Sequence, residues 1–330
     1  MSAKITKVLF VHGANQANKD KEKNLRTWQE AFDVSKYANK VQQLVEGNYN
    51  TDVQAYHKKN HQGRDYPEYS GWMALWYGDV WKNIVAAQTE PFAKRLDENE
   101  KSYKAIKNDR NSILEKLEHW VMEKHFDELV PFYELAVIND DGRTFYEAIC
   151  QQFLNQLIES TNSQHNYVLV AHSMGCAVTY NVMSHISCAQ ANTGYCLIDG
   201  TLSQSYRQAI AEFANSSAKC FGLLTFGNYM GYNWCQRLNN RILFGEYKKQ
   251  YVYPKAIGRW YNFWTMLGGD PYIIDDRLGN DIVGDKNGRY DDVSVPRMPG
   301  TKIGHGRAMW FRRNTFAKKL RDKMFQDLYL

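Results

Sequence analysis

The pentapeptide Ala171-His172-Ser173-Met174-Gly175 places a hydroxyl between two small residues. The largely apolar run Tyr167–Val170 ends there, and small and apolar residues then recur at helical spacing. That pattern reads as a buried strand turning sharply into a helix, with Ser173 at the turn. A Ser in such a bend projects its hydroxyl above the strand ends as a nucleophile. The bend leaves little room two residues to either side, which accounts for Ala171 and Gly175. The N–H of Met174 then faces the oxyanion that develops at the helix N-terminus. The plainer use of a Ser at this place is an N-cap.

A nucleophilic Ser needs a second oxyanion donor, a base and a group to orient the base. In "VLFVHGAN" a His-Gly pair follows an apolar run directly. Gly13 lets the backbone turn away, so the N–H of Ala14 supplies the second donor, and His12 serves as support, not as base. Downstream of Ser173 the histidines are His185 and His305. His185 falls about three turns along the helix after the bend and cannot reach back. His305, in the Gly-flanked "TKIGHGRAMWF" ahead of the closing helix, is the candidate base. Asp270 is the candidate acid: it follows the aromatic run "RWYNFWTMLGG" and precedes Pro271, which puts it just past a strand's C-terminal end. Asp275 and Asp276 are next in line. Asp281, Asp285, Asp291 and Asp292 read as solvated turn residues. "DKNG" carries Gly at the fourth place instead of the sixth and no Glu closes a twelve-residue loop, so a Ca²⁺ site is not expected. No cofactor or metal is called for.

These residues need a frame. "KVLFVHG", "MALWYGD", "YVLVAHS", "FGLLTFGN" and "YNFWTMLGG" are short continuous apolar runs, as strands buried on both faces of a parallel sheet read. Helical patterns lie between them over Leu25–Glu46, Phe145–Ser160 and Gly175–Ser187, with an amphipathic basic helix over Arg307–Leu330. The alternation predicts an α/β fold, a three-layer sandwich around a mostly parallel central sheet. One stretch departs from it. Trp81–Asp141 is charged, carries an apolar face of Ile113, Leu114, Leu117, Trp120, Val121 and Leu129, and is bounded by Pro91 and Pro131. It reads as a helical insertion (81–141) in a core made of 1–80 and 142–330, either a lid or a solvated layer. Gln190–Lys219 reads as irregular, with one short helical piece.

Composition narrows the class further. At 44% hydrophobic and 23% charged residues the chain belongs with globular proteins. A net charge of +5 permits peripheral attraction to anionic membrane surfaces, but no dense Lys/Arg stripe points to nucleic acid. The aromatic run "YVYPKAIGRWYNFWTM" reads as a buried strand and pocket wall, not a stacking platform. The apolar run Val8–Val11 is too short for a signal core, and no apolar stretch reaches membrane-spanning length. The six cysteines show no CxxC pairing, so free thiols in a reducing cytoplasm are the default expectation, with a disulfide such as Cys188–Cys196 and signal-independent secretion left open.

With "VLFVHG", "VAHSMG", "LLTFGN", "NFWTMLGGDP" and "GHG" in this order, the chain resembles the serine hydrolases of the α/β-hydrolase superfamily, in particular lipase- and esterase-like members. The resemblance implies an α/β-hydrolase fold, a catalytic set of Ser173, Asp270 and His305, and an oxyanion hole from Ala14 and Met174. It also implies a carboxylic or lipid ester substrate. Ala171 stands where Gly is usual, and the sheet starts at what is normally its third strand. A thioesterase or acyltransferase is an alternative chemistry. A non-catalytic binding protein on the same scaffold is an alternative of another class.

Overall fold

The computed structural model describes residues 6–13, 69–75, 132, 143–191, 202–231, 233–245, 250–265, 278–279, 282–285, 287–295, 310 and 314–323. The expected helix at Leu25–Glu46 lies outside them, and so does the insertion 81–141 apart from the buried Phe132. Among the described residues the strands are β1 (Thr6–Val11), β2 (Tyr69–Leu75), β3 (Asn166–His172), β4 (Cys220–Phe226), β5 (Tyr251–Val252), β6 (Ile257–Trp264), β7 (Ile282–Val283) and β8 (Tyr290–Ser294). The helices are α1 (Phe145–Thr161), α2 (Met174–Ala191), α3 (Gln204–Ala214), α4 (Asn233–Phe244) and α5 (Asn314–Asp322), with a 3₁₀ turn at Tyr229–Gly231.

Six strands form one sheet in the order β2-β1-β3-β4-β6-β8, every neighbouring pair parallel. Val8–Val11 of β1 and Tyr167–Ala171 of β3 are continuous apolar runs because both faces of the sheet are covered there. Alternation along the strands divides their side chains. Leu9, Val11, Leu169, Ala171 and Leu223 join the cluster packed by α1 to α4. Phe226 and Phe263 turn to the other face, where Phe316 of α5 meets both at 5.1 and 5.4 Å between ring centroids. The architecture is therefore an α/β sheet with helices on both faces. No described helix is long and apolar enough to cross a membrane.

Helix ends follow local chemistry. Thr144 caps α1 by accepting from the Glu147 N–H at 3.1 Å. The Glu147 carboxylate accepts from the N–H and hydroxyl of Ser203, the N-cap of α3, at 3.0 and 2.5 Å. One acidic side chain thus ties the start of α1 to the start of α3. The small β5–β7 pair has an unusual border. The Tyr180 hydroxyl of α2 accepts from the Val252 N–H and donates to the Val252 carbonyl, both at 3.1 Å.

Inside the helix layer runs a series of buried polar contacts. The Tyr146 hydroxyl donates to Asn181 Oδ1 at 3.0 Å and lies 3.1 Å from His185 Nε2. Its single proton is spent on Asn181, so His185 Nε2–H is the donor and His185 Nδ1 accepts from the Tyr206 hydroxyl at 3.0 Å. Burial holds the imidazole neutral and lowers its pKa to about 3. Asn181 donates to Asn239 Oδ1 at 2.7 Å, Asn239 donates to the Tyr251 hydroxyl at 3.2 Å, and Tyr251 donates to the Met230 carbonyl at 2.8 Å.

Cysteine chemistry departs from the free-thiol default at one residue, where the sequence leaves a disulfide open. Cys188, in the last turns of α2, is disulfide-bonded. Cys150, Cys176, Cys220 and Cys235 are free and buried. Bonds of this kind persist where the surroundings are oxidising.

Candidate active site

From β1 the chain passes to β2 on one side, and from β3 it passes to β4 on the other. The C-terminal ends of β1 and β3 therefore flank the sheet's topological switch point, where open α/β sheets bind their ligands. His12 and Gly13 leave β1 at this edge, and Ser173 leaves β3 beside them.

Ser173 has φ 55°, in the left-handed region that costs a residue with a Cβ roughly 1–2 kcal/mol. Surrounding bonds hold it there. Its N–H donates to the Phe226 carbonyl at 3.2 Å, and its carbonyl accepts from Cys176 N–H at 2.9 Å. The Cys176 thiol reaches the carbonyls of Ala171 and Phe226 at 3.4 and 3.8 Å, bracing the turn from below.

Two glycines are required by contact. A Cβ on Gly13 would stand 2.7 Å from Ser173 Cβ, 3.2 Å from Ser173 Oγ and 3.1 Å from His172 Nδ1. A Cβ on Gly175 would fall against the His12 carbonyl oxygen and 2.9 Å from that of Val11. The second glycine lets the first turn of α2 sit on the end of β1, and the first lets β1's exit touch the Ser173 side chain. The buried His12 ring donates from Nδ1 to the Gly13 carbonyl at 2.7 Å. His172 is also buried, with its ring 4.9 Å from that of Phe226.

Of the residues expected to act, Ser173 and Met174 lie in this description, at the turn and at the first position of α2. Ala14, Asp270, Asp275, Asp276 and His305 lie outside the described residues. Their flanks are placed. Gly13, one residue before Ala14, touches Ser173. Thr265 follows β6, whose Phe263 pairs with Phe226 at the end of β4. Trp310, five residues after His305, is buried with its ring 5.6 Å from Phe226. Phe226 in turn packs on His172, the residue before Ser173. His185 is fixed in the helix layer between two phenols and is no part of this edge.

The acidic stretch behaves differently from the expected row of solvated turn residues. Asp292 lies in β8, half-buried, paired with Asn262 in the neighbouring strand. Its carboxylate accepts from Asn262 Nδ2 at 2.9 Å, the Tyr290 hydroxyl at 2.6 Å and the Gly279 N–H at 2.6 Å, with the Leu278 N–H at 3.4 Å. Asn262 Oδ1 accepts from Thr225 at 2.9 Å and from Asn228 at 3.3 Å, and Asn228 Oδ1 accepts from Met230 N–H at 2.9 Å. Asp285 closes a turn. Burial opposes its charge, but the N–H groups of Arg289 and Tyr290, at 2.9 and 2.8 Å, outweigh burial and hold its carboxyl below the ordinary range. Asp291 is exposed and pairs with Lys323 at 3.4 Å, close to the expected solvated role. Sequence reading takes Asp292 for a solvated turn residue and passes over Asn262. No periodic signal in Tyr290–Ser294 marks the strand, since its two acids are adjacent and Val293 is its one buried residue.

A hydroxyl held in a strained turn at a helix N-terminus, above the strand ends, is suited to attack an electrophile whose developing negative charge is met by backbone N–H groups. Comparison of the chain with family models, with curated proteins and with solved structures finds no match.

Proposed function

We propose that the protein is a serine hydrolase of the α/β-hydrolase kind, cleaving a carboxylic ester through an acyl-enzyme. The observation that carries this reading is the left-handed backbone of Ser173 at the switch point, with Gly13 pressed against its side chain. Backbone strain of this sort persists where surrounding structure enforces it, and it gathers at functional sites. An N-cap Ser takes extended φ/ψ and would need no such arrangement.

In the proposed reaction Ser173 Oγ attacks the ester carbonyl carbon while His305 takes the hydroxyl proton. Asp270 stabilises the imidazolium, and the N–H groups of Ala14 and Met174 receive the oxyanion. The C–O bond to the leaving alcohol breaks as His305 returns the proton to it. Water, deprotonated by His305, then releases the acid and restores the hydroxyl. The placed flanks support these roles. Five extended residues reach about 17 Å. His305 and Asp270 each lie within that reach of a placed flank, Trp310 and Thr265, at the C-terminal side of the sheet's strands. The pinned Gly13 carbonyl supports the oxyanion role, because it fixes the plane of the peptide whose N–H belongs to Ala14.

Substitution Ser173→Ala tests the proposal. Turnover of a chromogenic acyl ester and labelling by a fluorophosphonate should both be lost while the protein stays folded. Retained turnover in that variant ends the assignment. A chain-length series of nitrophenyl esters then separates a lipid ester from a short-chain one.

A further inference from the structure

Phe226 meets the Ser173 turn in two ways. It is the last residue of β4, paired across the ladder with His172 of β3, and it is buried. Its carbonyl accepts from the Ser173 N–H at 3.2 Å, one residue past the end of β3, and from the Cys176 thiol at 3.8 Å. Its ring lies 4.9 Å from the ring of His172. Nδ1 of that imidazole stands 3.1 Å from the place a Cβ on Gly13 would take, and Ser173 Oγ stands 3.2 Å from the same place. Phe226 thus touches the nucleophile's own amide through its backbone, and the imidazole beside the nucleophile through its side chain.

Both ladders of β4 end at Phe226, and Gly227 follows in left-handed backbone at φ 56°. Past that point the place of the carbonyl is set by how the residue is packed. Besides His172, the rings of Trp310 and Phe316 stand 5.6 and 5.1 Å from the Phe226 ring, and these two meet each other at 5.2 Å. Tilted and edge-on contacts at such spacings are the favourable ones for aromatic rings, and a close-packed interior leaves a ring so surrounded little room to settle. We propose that Phe226 is a positioning residue for Ser173. The rings of His172, Trp310 and Phe316 clamp its side chain, and the clamped residue presents the carbonyl that holds the nucleophile in left-handed backbone. The catalytic meaning of the clamp rests on the hydrolase reading above. The clamp itself does not.

Phe226→Leu keeps an apolar side chain but removes the flat ring. Phe263→Leu makes the same change one strand further from Ser173, at a ring that also packs on Phe316. A displacement of about 1 Å costs about 10²-fold in rate, so a fraction of that shift should lower kcat of Phe226→Leu by about tenfold or more, with KM within about threefold. In Phe263→Leu kcat should stay within about threefold of wild type. Amide hydrogen exchange followed by NMR reads the clamp without substrate. The Ser173 N–H should be protected in the wild type, exchange about tenfold faster or more in Phe226→Leu, and change by less than about threefold in Phe263→Leu. Phe226→Met, whose flexible side chain fills more of the vacated space, gives the same reading if the Leu variant does not fold. A kcat close to wild type in the Phe226 variant, an equal loss in Phe263→Leu, or an unprotected Ser173 amide in the wild type overturns the positioning role. A wild-type protein that neither turns over ester nor takes up fluorophosphonate fails the hydrolase reading instead, and the exchange rates still decide the clamp.

Discussion

The edge between β1 and β3 and the interior of the helix layer are both buried and both polar, yet they are built on opposite terms. At the edge, Ser173 is held in left-handed backbone and pressed against Gly13, with His12 and His172 packed around it. In the helix layer, His185 sits between two phenols that use both of its nitrogens, and each neighbour passes its proton in one direction. Buried polar groups that are fully partnered rigidify a core. Strain kept in place by its surroundings marks a place where reactivity has been favoured over comfort. Among the described residues the molecule keeps a fully partnered histidine in its middle and a crowded serine at its rim, and the proposed chemistry belongs to the rim.

Substitution is the way to break that contrast. The largest effect is expected from Gly13→Ala. The new Cβ would stand 2.7 Å from Ser173 Cβ, so the turn must shift. Ester turnover should fall by about 10²-fold or more, while the urea midpoint moves comparatively little. Equal loss of stability and activity would make the edge an ordinary piece of core.

The second effect belongs to His185 and is read in stability. Its folded pKa, about 3, lies below the ordinary histidine value, so between the two the unfolded chain binds a proton that the folded chain does not. Stability is present above about pH 6.5 and drains away as pH falls toward 3, by about 2 kcal/mol from pH 6.5 to 5. The phenols of Tyr146 and Tyr206 face the ring, and the Cys150 thiol lies beside both phenols. Burial raises the pKa of Tyr206 and Cys150, so neither gains charge in that window. Urea titrations of wild type and His185→Gln at a series of pH values should show this acid slope only in the wild type. A slope kept by the variant would place the titrating group elsewhere.

The smallest effect is expected at Cys176, whose thiol braces the turn through two long contacts. Cys176→Ala should cost about 1 kcal/mol of stability and leave kcat within about threefold. A loss of activity near that of Gly13→Ala would mean that the brace, and not the crowding, holds the nucleophile.

Much of the frame was legible in the chain. β1, β3 and β4 announce themselves as apolar runs because both faces of the sheet are covered, and Ala171 to Gly175 announces the turn because the bend excludes bulk. The end of the irregular stretch was legible in part, since its one helical piece is α3. What stayed hidden has a common cause. β8 lies at the sheet edge, and its short sequence, with two adjacent acids and Val293 as its one buried residue, resembles a turn. β2 begins at Tyr69, earlier than its apolar run, and β6 begins at Ile257, ahead of the aromatic run that marked it. Asn181, Asn239, Asn262 and Asp292 are polar types usually found in water, and only their partners, distant along the chain, make them interior. Pairwise partnership across 30 to 58 positions leaves no local trace in sequence.

The phenol of Tyr180 has an effect beyond its own two bonds. A strand of two residues normally leaves a row of peptide groups facing outward, an invitation for a foreign chain to add itself to the pair. Here the Val252 N–H and carbonyl that would extend the invitation are both engaged by one hydroxyl. A side chain stands in for the missing neighbour, and the short ribbon cannot grow from that border into a larger assembly.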